Sequence, residues 1–491
     1  MSGKETLREY DDDLLGFGRG EDEENDEEAD ESMGDNGVDV ELADLDVKFS
    51  RTKLWEAPES VPYDGRQAGP TRMPEGYMNF SPLQIFLLLF PLELFKVIVV
   101  QTNLYYLQGL PADEVMVPLM TLHELFVFVA LHLMMTACWG GSQDAFFQGH
   151  GGFDARRYMT RARFYWIKKH LHFADKSKRP AEGTPGYDPL YLIRPLVDTL
   201  NRTFRKYWKL SDYVSLDEMM VAFKGHNPFH CFIPRKPHPN GTKMHAICCA
   251  KTYFCVAFLV SDGIKRSIPG IAAALFAGNV IPGMTVITDR YYTCTALVRL
   301  CLALGVGLIG STMANRFLAK HVFGGWSAAD AQRKARGTFE VAVSACGSVA
   351  NIIWKDKGIV RLTVTAGSSM RCNLVRRARG IGSFFVTAPF CAQIFDSYFH
   401  GVDRNDQLRG SGYGLALFFR AKKYTVKMLL GLLDLALSNA FIMWRVLHPK
   451  DRSVIASFGT NWRGRCWSST QRMTRSSVQR NLPEYGCHTP W

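Results

Sequence analysis

The first part of the chain is patterned like a helical protein, with long apolar segments and short polar breaks between residues 81 and 139. Ser81 and Pro82 predict a helix start, because a serine side chain caps the first turn and proline fits the first helical position. Another long apolar segment, residues 424–447, predicts a helix near the end of the chain. The predicted helical domain therefore has two parts, residues 76–210 and 411–449.

From Ser211 onward, apolar and polar residues alternate in short runs, which is typical of strands. Three antiparallel strands are followed by a helix, a strand, a helix and a strand, and this succession predicts an α/β layer fold. The predicted elements are strand 213–223, the hairpin 243–250 and 253–260, helix 267–280, strand 285–288, helix 293–304 and strand 306–310. Shorter strand-like pieces then interrupt this order. They predict a small, mostly β insertion at 316–385 between two parts of one core, residues 211–315 and 386–410.

Charge divides the chain into opposed parts. Residues 1–47 hold 19 acidic and three basic side chains, which predicts a disordered acidic tail. The other residues hold 55 basic and 28 acidic side chains, a net charge of +27 that suits nucleic acid or an anionic membrane surface. Residues 48–75, rich in proline and glycine, are predicted to be an irregular linker, and residues 450–491 a Ser/Arg-rich basic tail.

Composition favours a soluble intracellular protein. Twelve scattered cysteines without a CxxC pair suit a reducing compartment, and the first residues show no signal or transit pattern. The apolar stretches 85–100, 125–139 and 428–447 are too short for a bilayer or carry charged residues, so they are predicted to be buried helices and no membrane is expected. The alternative is a membrane-associated protein anchored through the segments before Trp139, which solubility without detergent would exclude.

Aspartates in three places carry the candidate chemistry. Asp217 lies inside the first predicted strand, Asp289 at the end of the fourth, and Asp403 at the start of a predicted helix. Since side chains alternate along a strand, Asp217 and Glu218 face opposite sides of the sheet, and only one of them points at a given site. Asp403 and Asp406 are three residues apart and share a helix face.

Converging carboxylates repel one another unless a cation joins them, and hard oxygen ligands suit Mg²⁺ or Mn²⁺. A pair of such ions roughly 4 Å apart activates a water or a 3′-hydroxyl and stabilises the leaving oxygen of a phosphodiester. The alternative for any single aspartate is a surface or capping role, as Asp262 in a Ser-Asp-Gly turn illustrates.

Six segments of the chain resemble the piggyBac family of DDE transposases. They are, in order, RARFYWIKKHLHFAD, IRPLVDTLNRTFRK, SLDEMMVAFKGHNPFHCFIPRKPHPNGTK, VITDRYYTCTALVRLCLALGVGLIGSTMANR, YFHGVDRNDQLR and LLGLLDLALSNAFIMW. The resemblance spans about residues 69–447, in the family's order and with comparable spacing. The whole set is specific, whereas GVDxxDQ alone would be modest support.

The resemblance implies an RNase H-like core in which the catalytic aspartates Asp217, Asp289 and Asp403 coordinate Mg²⁺ or Mn²⁺, with Asp406 as an additional candidate ligand. It also implies cleavage at transposon ends and joining of the exposed 3′-hydroxyls to TTAA targets. The family acts as a homodimer on double-stranded DNA. In the family, the helical segments form a dimerisation and DNA-binding domain, and an insertion domain lies between the second and third aspartates.

Two features depart from the family pattern. Asp289 is followed by Arg290-Tyr291-Tyr292-Thr293, where the family usually has Asn-Phe/Trp-Phe-Thr. Arg290 thus places a cation next to the proposed metal site, where it contacts DNA phosphate or lowers metal occupancy. After residue 449 only Cys466 and Cys487 remain, which are too few for the zinc-binding module with which family members usually recognise the transposon end.

Basic residues near the first strand, beside Asp289 and in the predicted insertion are candidates for DNA phosphate contacts. They are Lys224, Arg235, Lys236, Lys243, Arg290, Arg376 and Arg377. For those near the first strand the alternative is a solvated basic face. The histidines between residues 226 and 245 are not expected to bind zinc, because their spacing fits no common site and prolines interrupt them.

The sequence therefore predicts a nuclear, DNA-binding, piggyBac-like transposase or transposase-derived protein with an α/β RNase H-like core. Three converging carboxylates favour a Mg²⁺-dependent nuclease and strand transferase. The alternative is a domesticated, catalytically inactive DNA-binding protein of the same fold, which Arg290 and the incomplete cysteine module favour.

Overall fold

The computed structural model describes residues 49–58, 67–137, 143–149, 154–234, 236, 238–316, 320–378, 380–410 and 414–451. The predicted acidic tail, all but the first two residues of the predicted basic tail, and Arg235 lie outside this set. The described residues fold into two compact units. The first contains residues 49–72, 204–222 and 228–407, and the second contains residues 73–203, 223–227 and 408–451, with the gaps given above.

The described residues form thirteen α-helices and fourteen β-strands. The helices are α1 (Pro82–Leu89), α2 (Leu92–Gln108), α3 (Leu122–Ala137), α4 (Gln143–Phe146), α5 (Arg161–His170), α6 (Arg194–Tyr207), α7 (Ile268–Phe276), α8 (Thr295–Ala303), α9 (Ala328–Arg333), α10 (Phe390–Tyr398), α11 (Gly401–Gly410), α12 (Leu415–Phe418) and α13 (Tyr424–Leu447). The strands are β1 (Phe49–Thr52), β2 (Gly69–Pro70), β3 (Trp208–Lys209), β4 (Tyr213–Ala222), β5 (His230–Phe232), β6 (Asn240–Cys249), β7 (Cys255–Val260), β8 (Thr285–Thr288), β9 (Gly307–Ser311), β10 (Phe339–Ser344), β11 (Ala350–Lys355), β12 (Ile359–Val364), β13 (Arg371–Ala378) and β14 (Gly382–Pro389).

A ten-stranded mixed sheet forms the centre of the first unit. Its order is β1-β10-β11-β12-β9-β8-β4-β6-β5. The tenth strand, β7, also pairs with β6, at residues 244–248, whereas β5 pairs with residues 240–242. The central strands β4, β8 and β9 run parallel, and their neighbours pair antiparallel. The predicted succession of strands and helices between residues 213 and 310 is confirmed, since β4, β6, β7, α7, β8, α8 and β9 follow in that order.

Alternation along the central strands gives the sheet two apolar faces. Val214 and Leu216 of β4 and Val286 of β8 pack in one core with residues of α7 and α8. Ile287 of β8 lies on the other face, in a core with residues of α10 and of the β13–β14 hairpin. Both faces of the central strands are therefore covered, as expected for parallel strands.

The segment predicted to be an insertion, residues 316–385, is mostly β. Its strands β10, β11 and β12 extend the main sheet through the β12–β9 pair, in which Leu362 lies opposite Ser311. Strands β13 and β14 pair with each other as a separate hairpin. The strand-like pieces TFEVAVS, VRLTVTA and GSFFVTA correspond to β10, β12 and β14, whereas β11 and β13 were not predicted. The pattern also did not indicate the strand with which each would pair. The division into an inserted domain stays a prediction.

The second unit is helical, with α13 at its centre. Ser81 caps α1 as predicted. Its hydroxyl accepts a hydrogen bond from the Gln84 backbone N–H, and its own backbone N–H donates to the Gln84 side-chain oxygen. Among the described helices, α13 alone has the length and apolar character of a membrane span, and α1 with α2 meets the same criteria only across a 66° bend. The apolar window of α13 is fully buried inside the protein, as in the core helix of a globular unit.

Two buried charges on α13 hold the short helix α12 at both of its ends. Asp434 accepts hydrogen bonds from the backbone N–H groups of Leu415 and Ala416, both at 2.8 Å. Lys427, two turns earlier, donates to the carbonyl groups of Ala416 and Phe419. A carboxylate at the start of a helix and an ammonium at its end both complement the helix dipole. Burial raises the pKa of Asp434 to about 7, although these N–H groups and nearby cations oppose the shift.

We expect Asp434→Ala to destabilise the second unit by about 3 kcal/mol, because two buried N–H groups lose their acceptor and Lys427 loses its counter-ion. The measurement is the urea midpoint followed by tryptophan fluorescence. Asp198→Ala is the matched control. The Asp198 side chain is 62% exposed, and its oxygen lies 3.7 Å from an Arg194 nitrogen in a long surface ion pair. That variant should lose less than about 0.5 kcal/mol. Equal losses in the two variants would contradict this role of Asp434.

The raised pKa of Asp434 also predicts a pH effect of definite sign. Between pH 4 and 7 the unfolded chain releases this proton while the folded protein retains it, so stability falls as pH rises through that window. The contribution is at most about 1.4 kcal/mol per pH unit. Asp434→Asn should remove this pH-dependent contribution. The measurement is the urea midpoint of both proteins between pH 4 and 8, and we expect a flatter profile for the variant. Parallel profiles would refute the assignment.

Candidate functional site

Strand β4 brings Asp217 toward helix α11 through a ladder of contacts on one face of the sheet. Tyr213 stacks on Tyr398 at a ring distance of 4.2 Å, and the Ser215 hydroxyl donates to the carbonyl of Phe399 at 2.8 Å. Residues two apart along a strand share a face, so Asp217 is the next side chain in this row. Glu218 belongs to the opposite row with Val214 and Leu216. The prediction that the two acidic residues face opposite sides agrees with these contacts.

Helix α11 approaches β4 closely because it begins at a glycine. A Cβ atom on Gly401 would lie 2.8 Å from the Ser215 Cβ atom and 3.2 Å from the Ala250 Cα atom, so no larger residue fits without movement. One turn later, the Asn405 amide donates to the carbonyl of Tyr253 at 2.8 Å. These contacts fix the first turn of α11, which carries Asp403, next to the row that contains Asp217.

Asp289 lies immediately after β8, which runs parallel to β4. The last pair of residues between β4 and β8 is Leu216 and Thr288. Asp217 and Asp289 each follow one residue later, so both lie at the same end of the paired segment. The Asp289 Oδ1 atom accepts hydrogen bonds from the N–H groups of Tyr291 and Tyr292, at 3.0 and 3.2 Å. The carboxylate therefore shapes the turn that follows the strand.

The three aspartates Asp217, Asp289 and Asp403, here called the aspartate cluster, interact electrostatically. Burial raises the pKa of Asp217 well above its usual range, and the negative charges of Glu218, Asp403 and Asp289 raise it further. Burial also raises the pKa of Asp289 to about 6, with Glu218 adding to the shift and the two backbone N–H groups opposing it. The fold thus concentrates like charges in a partly buried space.

A lysine lies among these carboxylates. The Lys236 Nζ atom is 3.3 Å from Asp403 Oδ1 and 3.4 Å from the Glu218 carbonyl oxygen. Burial by itself lowers the pKa of Lys236, but the carboxylates of Asp403, Asp217, Glu218 and Asp406 outweigh it and the pKa is raised. Lys236 was predicted to contact DNA phosphate, whereas its observed ion pair is with Asp403.

A buried polar pair lies on the Glu218 side of β4. His245 pairs with Glu218 across β4 and β6, and its Nδ1 atom is 2.5 Å from the Tyr292 hydroxyl. Burial lowers the pKa of His245 to about 3, so its ring is neutral at physiological pH. The Glu218 Oε2 atom is buried without a hydrogen-bond partner in the described part of the chain. The sequence reasoning missed the contact between His245 and Tyr292, because no sequence pattern indicates which residues of different elements lie side by side.

The donor chemistry of the aspartate cluster fits a divalent ion, since its carboxylate oxygens are hard ligands and its buried like charges favour a cation. Within the described ranges, however, no three His, Cys, Asp or Glu side chains stand in a metal-binding arrangement. Asp289 is bonded to backbone N–H groups and Asp403 to Lys236. Coordination would therefore require these side chains to exchange partners.

The other predicted DNA-contacting residues are scattered. Lys224, Arg290 and Arg377 are exposed, and the Lys243 ammonium lies 5.0 Å from the centre of the Tyr291 ring. Arg376 is instead engaged inside the first unit, where it pairs with Asp356 at 2.9 Å and with Asp396 at 2.8 Å. Those ion pairs give Arg376 a structural role that its position in a basic run did not indicate. Arg235 lies outside the described residues.

Comparison with known proteins places this geometry in a family. A family model described as Transposase IS4 matches residues 81–441. The human PiggyBac transposable element-derived protein 3 is 25% identical over 305 residues, which are 60% of this chain and 49% of that protein. The human PiggyBac transposable element-derived protein 5 is 23% identical over 420 residues, which are 77% of this chain and 73% of that protein. The chain spans about half the length of the first of these relatives.

A solved structure shares the fold. A piggyBac transposase in a synaptic complex with hairpin DNA, solved by cryo-electron microscopy, aligns with 87% of this chain and 90% of its own length at a TM-score of 0.67 and 20% identity. The predicted resemblance to the piggyBac family and the predicted α/β fold class are confirmed. The large mixed sheet with its helices is consistent with an RNase H-like core. The catalytic and metal-binding roles of individual residues stay predictions.

We expect Gly401→Ala to cost about 1–3 kcal/mol, because the added methyl group would push α11 away from Ser215 and Ala250. The matched control is Gly358→Ala, where an added Cβ atom meets nothing within 4 Å. That variant should stay within about 0.5 kcal/mol of the parent. Urea midpoints measure both, and a Gly401→Ala protein as stable as the control would show that close approach is not required.

Proposed function

This chain belongs to the Transposase IS4 family and is a piggyBac-like transposase or a protein derived from one; from that premise we propose that it cleaves phosphodiester bonds and transfers DNA strands at TTAA targets. The observation that carries the proposal is the aspartate cluster. Its members come from two parallel strands and a helix that are far apart in the sequence, and their charges act on one another. A purely structural descendant has no physical need for such an arrangement.

Asp217, Asp289 and Asp403 would hold Mg²⁺ or Mn²⁺, with Asp406 nearby as an additional ligand. When bound, such ions activate the attacking oxygen and stabilise the leaving oxygen of a phosphodiester. The part played by the chain itself is to hold the three carboxylates on rigid elements, namely β4, the turn after β8 and the first turn of α11. Burial limits the water that would otherwise solvate Asp217 and Asp289.

Double-stranded DNA is the proposed substrate and partner. Two basic residues lie on elements next to the aspartate cluster. Lys243 belongs to β6, the neighbour of β4 in the sheet, and Arg290 directly follows Asp289. Their positive charges, with the +27 net charge of residues 48–491, suit contacts to phosphate groups. A homodimer and a nuclear location are proposed from the family, in keeping with a DNA substrate.

A second candidate function is DNA binding without catalysis. Two observations favour it: the Lys236 ion pair with Asp403, and the lack of a ready ligand set of three side chains among the described residues. Arg290 adds a further cation next to Asp289. A domesticated protein would keep the fold and the basic surface while the chemistry is lost.

The deciding experiment is nicking and strand transfer on duplexes that carry TTAA and candidate terminal repeats, with Mg²⁺ or Mn²⁺. We expect Asp217→Asn and Asp403→Asn each to lower the rate to about 1% of the parent or less, because each removes a charged ligand. Asp212→Asn is the matched control, since Asp212 pairs with Lys251 at 2.7 Å, outside the aspartate cluster.

Activity that survives Asp217→Asn would refute the proposed site. A parent protein that binds these duplexes without cutting them would favour the second candidate function.

A further inference from the structure

Lys236 lies between β5 and β6, and its ammonium reaches the aspartate cluster. Its Nζ atom contacts Asp403 Oδ1 at 3.3 Å and the Glu218 carbonyl at 3.4 Å. The side chain is only 24% exposed, so the ion pair with Asp403 is partly shielded from water. Contacts with an α11 side chain and a β4 carbonyl join the two elements that carry Asp403 and Asp217.

The lysine interacts with more than one carboxylate. Asp403, Asp217, Glu218 and Asp406 all stabilise its positive charge, and Lys236 in turn partly offsets the repulsion felt by Asp217. Two like charges in a low-dielectric environment cost free energy that a cation at hydrogen-bond distance reduces. In chemical terms, the ammonium does for the cluster what a bound cation would do.

We propose that Lys236 is a built-in counter-cation of the aspartate cluster, and that it competes with a divalent ion for Asp403. The competition has a steric and an electrostatic cause. The ammonium already contacts one carboxylate oxygen of Asp403, and its positive charge would repel a divalent ion bound next to it. A divalent ion therefore binds only as Lys236 moves away, so this residue sets the affinity of the cluster for cations.

This inference rests on the proposed cation site but not on catalysis, and the two are tested by different measurements. Binding of Mn²⁺ tests the role of Lys236, whereas nicking tests the proposed function. A Lys236→Met protein that binds Mn²⁺ tightly while neither it nor the parent cuts DNA would support the inference and count against the proposed reaction.

The experiment is titration of the chelator-treated full-length protein with Mn²⁺, followed by calorimetry and by the electron paramagnetic resonance signal of free Mn²⁺. We expect Lys236→Met to bind Mn²⁺ at least about tenfold more tightly than the parent, and Lys236→Arg to bind within about threefold of it. Adding Asp403→Asn to Lys236→Met should remove the gain. Lys251→Met is the matched control, because it breaks the comparable Lys251–Asp212 ion pair and should leave the affinity unchanged.

A second measurement uses the parent protein, so it does not depend on the folding of a variant. Mn²⁺ should release the Lys236 ammonium, and its acetylation by a small reagent, quantified by mass spectrometry, should then rise severalfold while that of Lys251 stays constant. Unchanged labelling of Lys236 would overturn the proposal. So would a Lys236→Met protein that binds Mn²⁺ no more tightly than the parent, including the case in which neither binds.

Discussion

Carboxylates brought together in a partly buried space repel one another, and the first unit of this protein has to accommodate that repulsion on its central sheet. Asp217, Asp289 and Asp403 are supplied by rigid elements that also have to pack, so their charges cannot simply move apart. The neighbouring groups relieve the strain in different ways. Backbone N–H groups bind Asp289, and the Lys236 ammonium binds Asp403. Burial first, and then the remaining repulsion from the neighbouring carboxylates, keep the pKa of Asp217 raised.

The helical unit solves a similar problem with the same means. Asp434 and Lys427 are charged residues in an otherwise apolar helix, and each is bonded to backbone groups at one end of α12. Their charges therefore join two helices instead of forming a site for a ligand. The two sites differ in the partners of the carboxylate: both oxygens of Asp434 accept from backbone N–H groups, whereas Asp403 is paired with a lysine side chain.

Family membership and chemistry are separate questions for this chain. The family match and the shared fold account for a mixed sheet that is parallel at its centre. The three aspartates lie on β4, after β8 and on α11. The family match and the shared fold do not decide whether those aspartates bind a divalent ion, because a fold does not by itself fix the chemistry of its sites. That depends on local competition among Lys236, the backbone N–H groups after Asp289, and the cation itself.

The sequence alone predicted most elements of the core, although not β5, β11 or β13, because alternation and helical periodicity are local properties. It predicted the order from β4 to β9, the Ser81 cap of α1 and the opposite orientation of Asp217 and Glu218. It also led, by resemblance, to the family and to the three aspartates. Periodicity says nothing about which strands pair, so the extension of the sheet by β10 to β12 followed only from the tertiary structure.

Contacts between distant residues were decided by the fold as well. Lys236, Arg376 and Arg290 looked alike as basic residues near candidate DNA-binding segments. The tertiary structure placed Lys236 next to Asp403 and Arg376 between Asp356 and Asp396, while Arg290 stayed at the surface. The physical reason is that a charge has a role only through its neighbours, and those neighbours are brought together by packing over separations of more than a hundred residues in the case of Lys236.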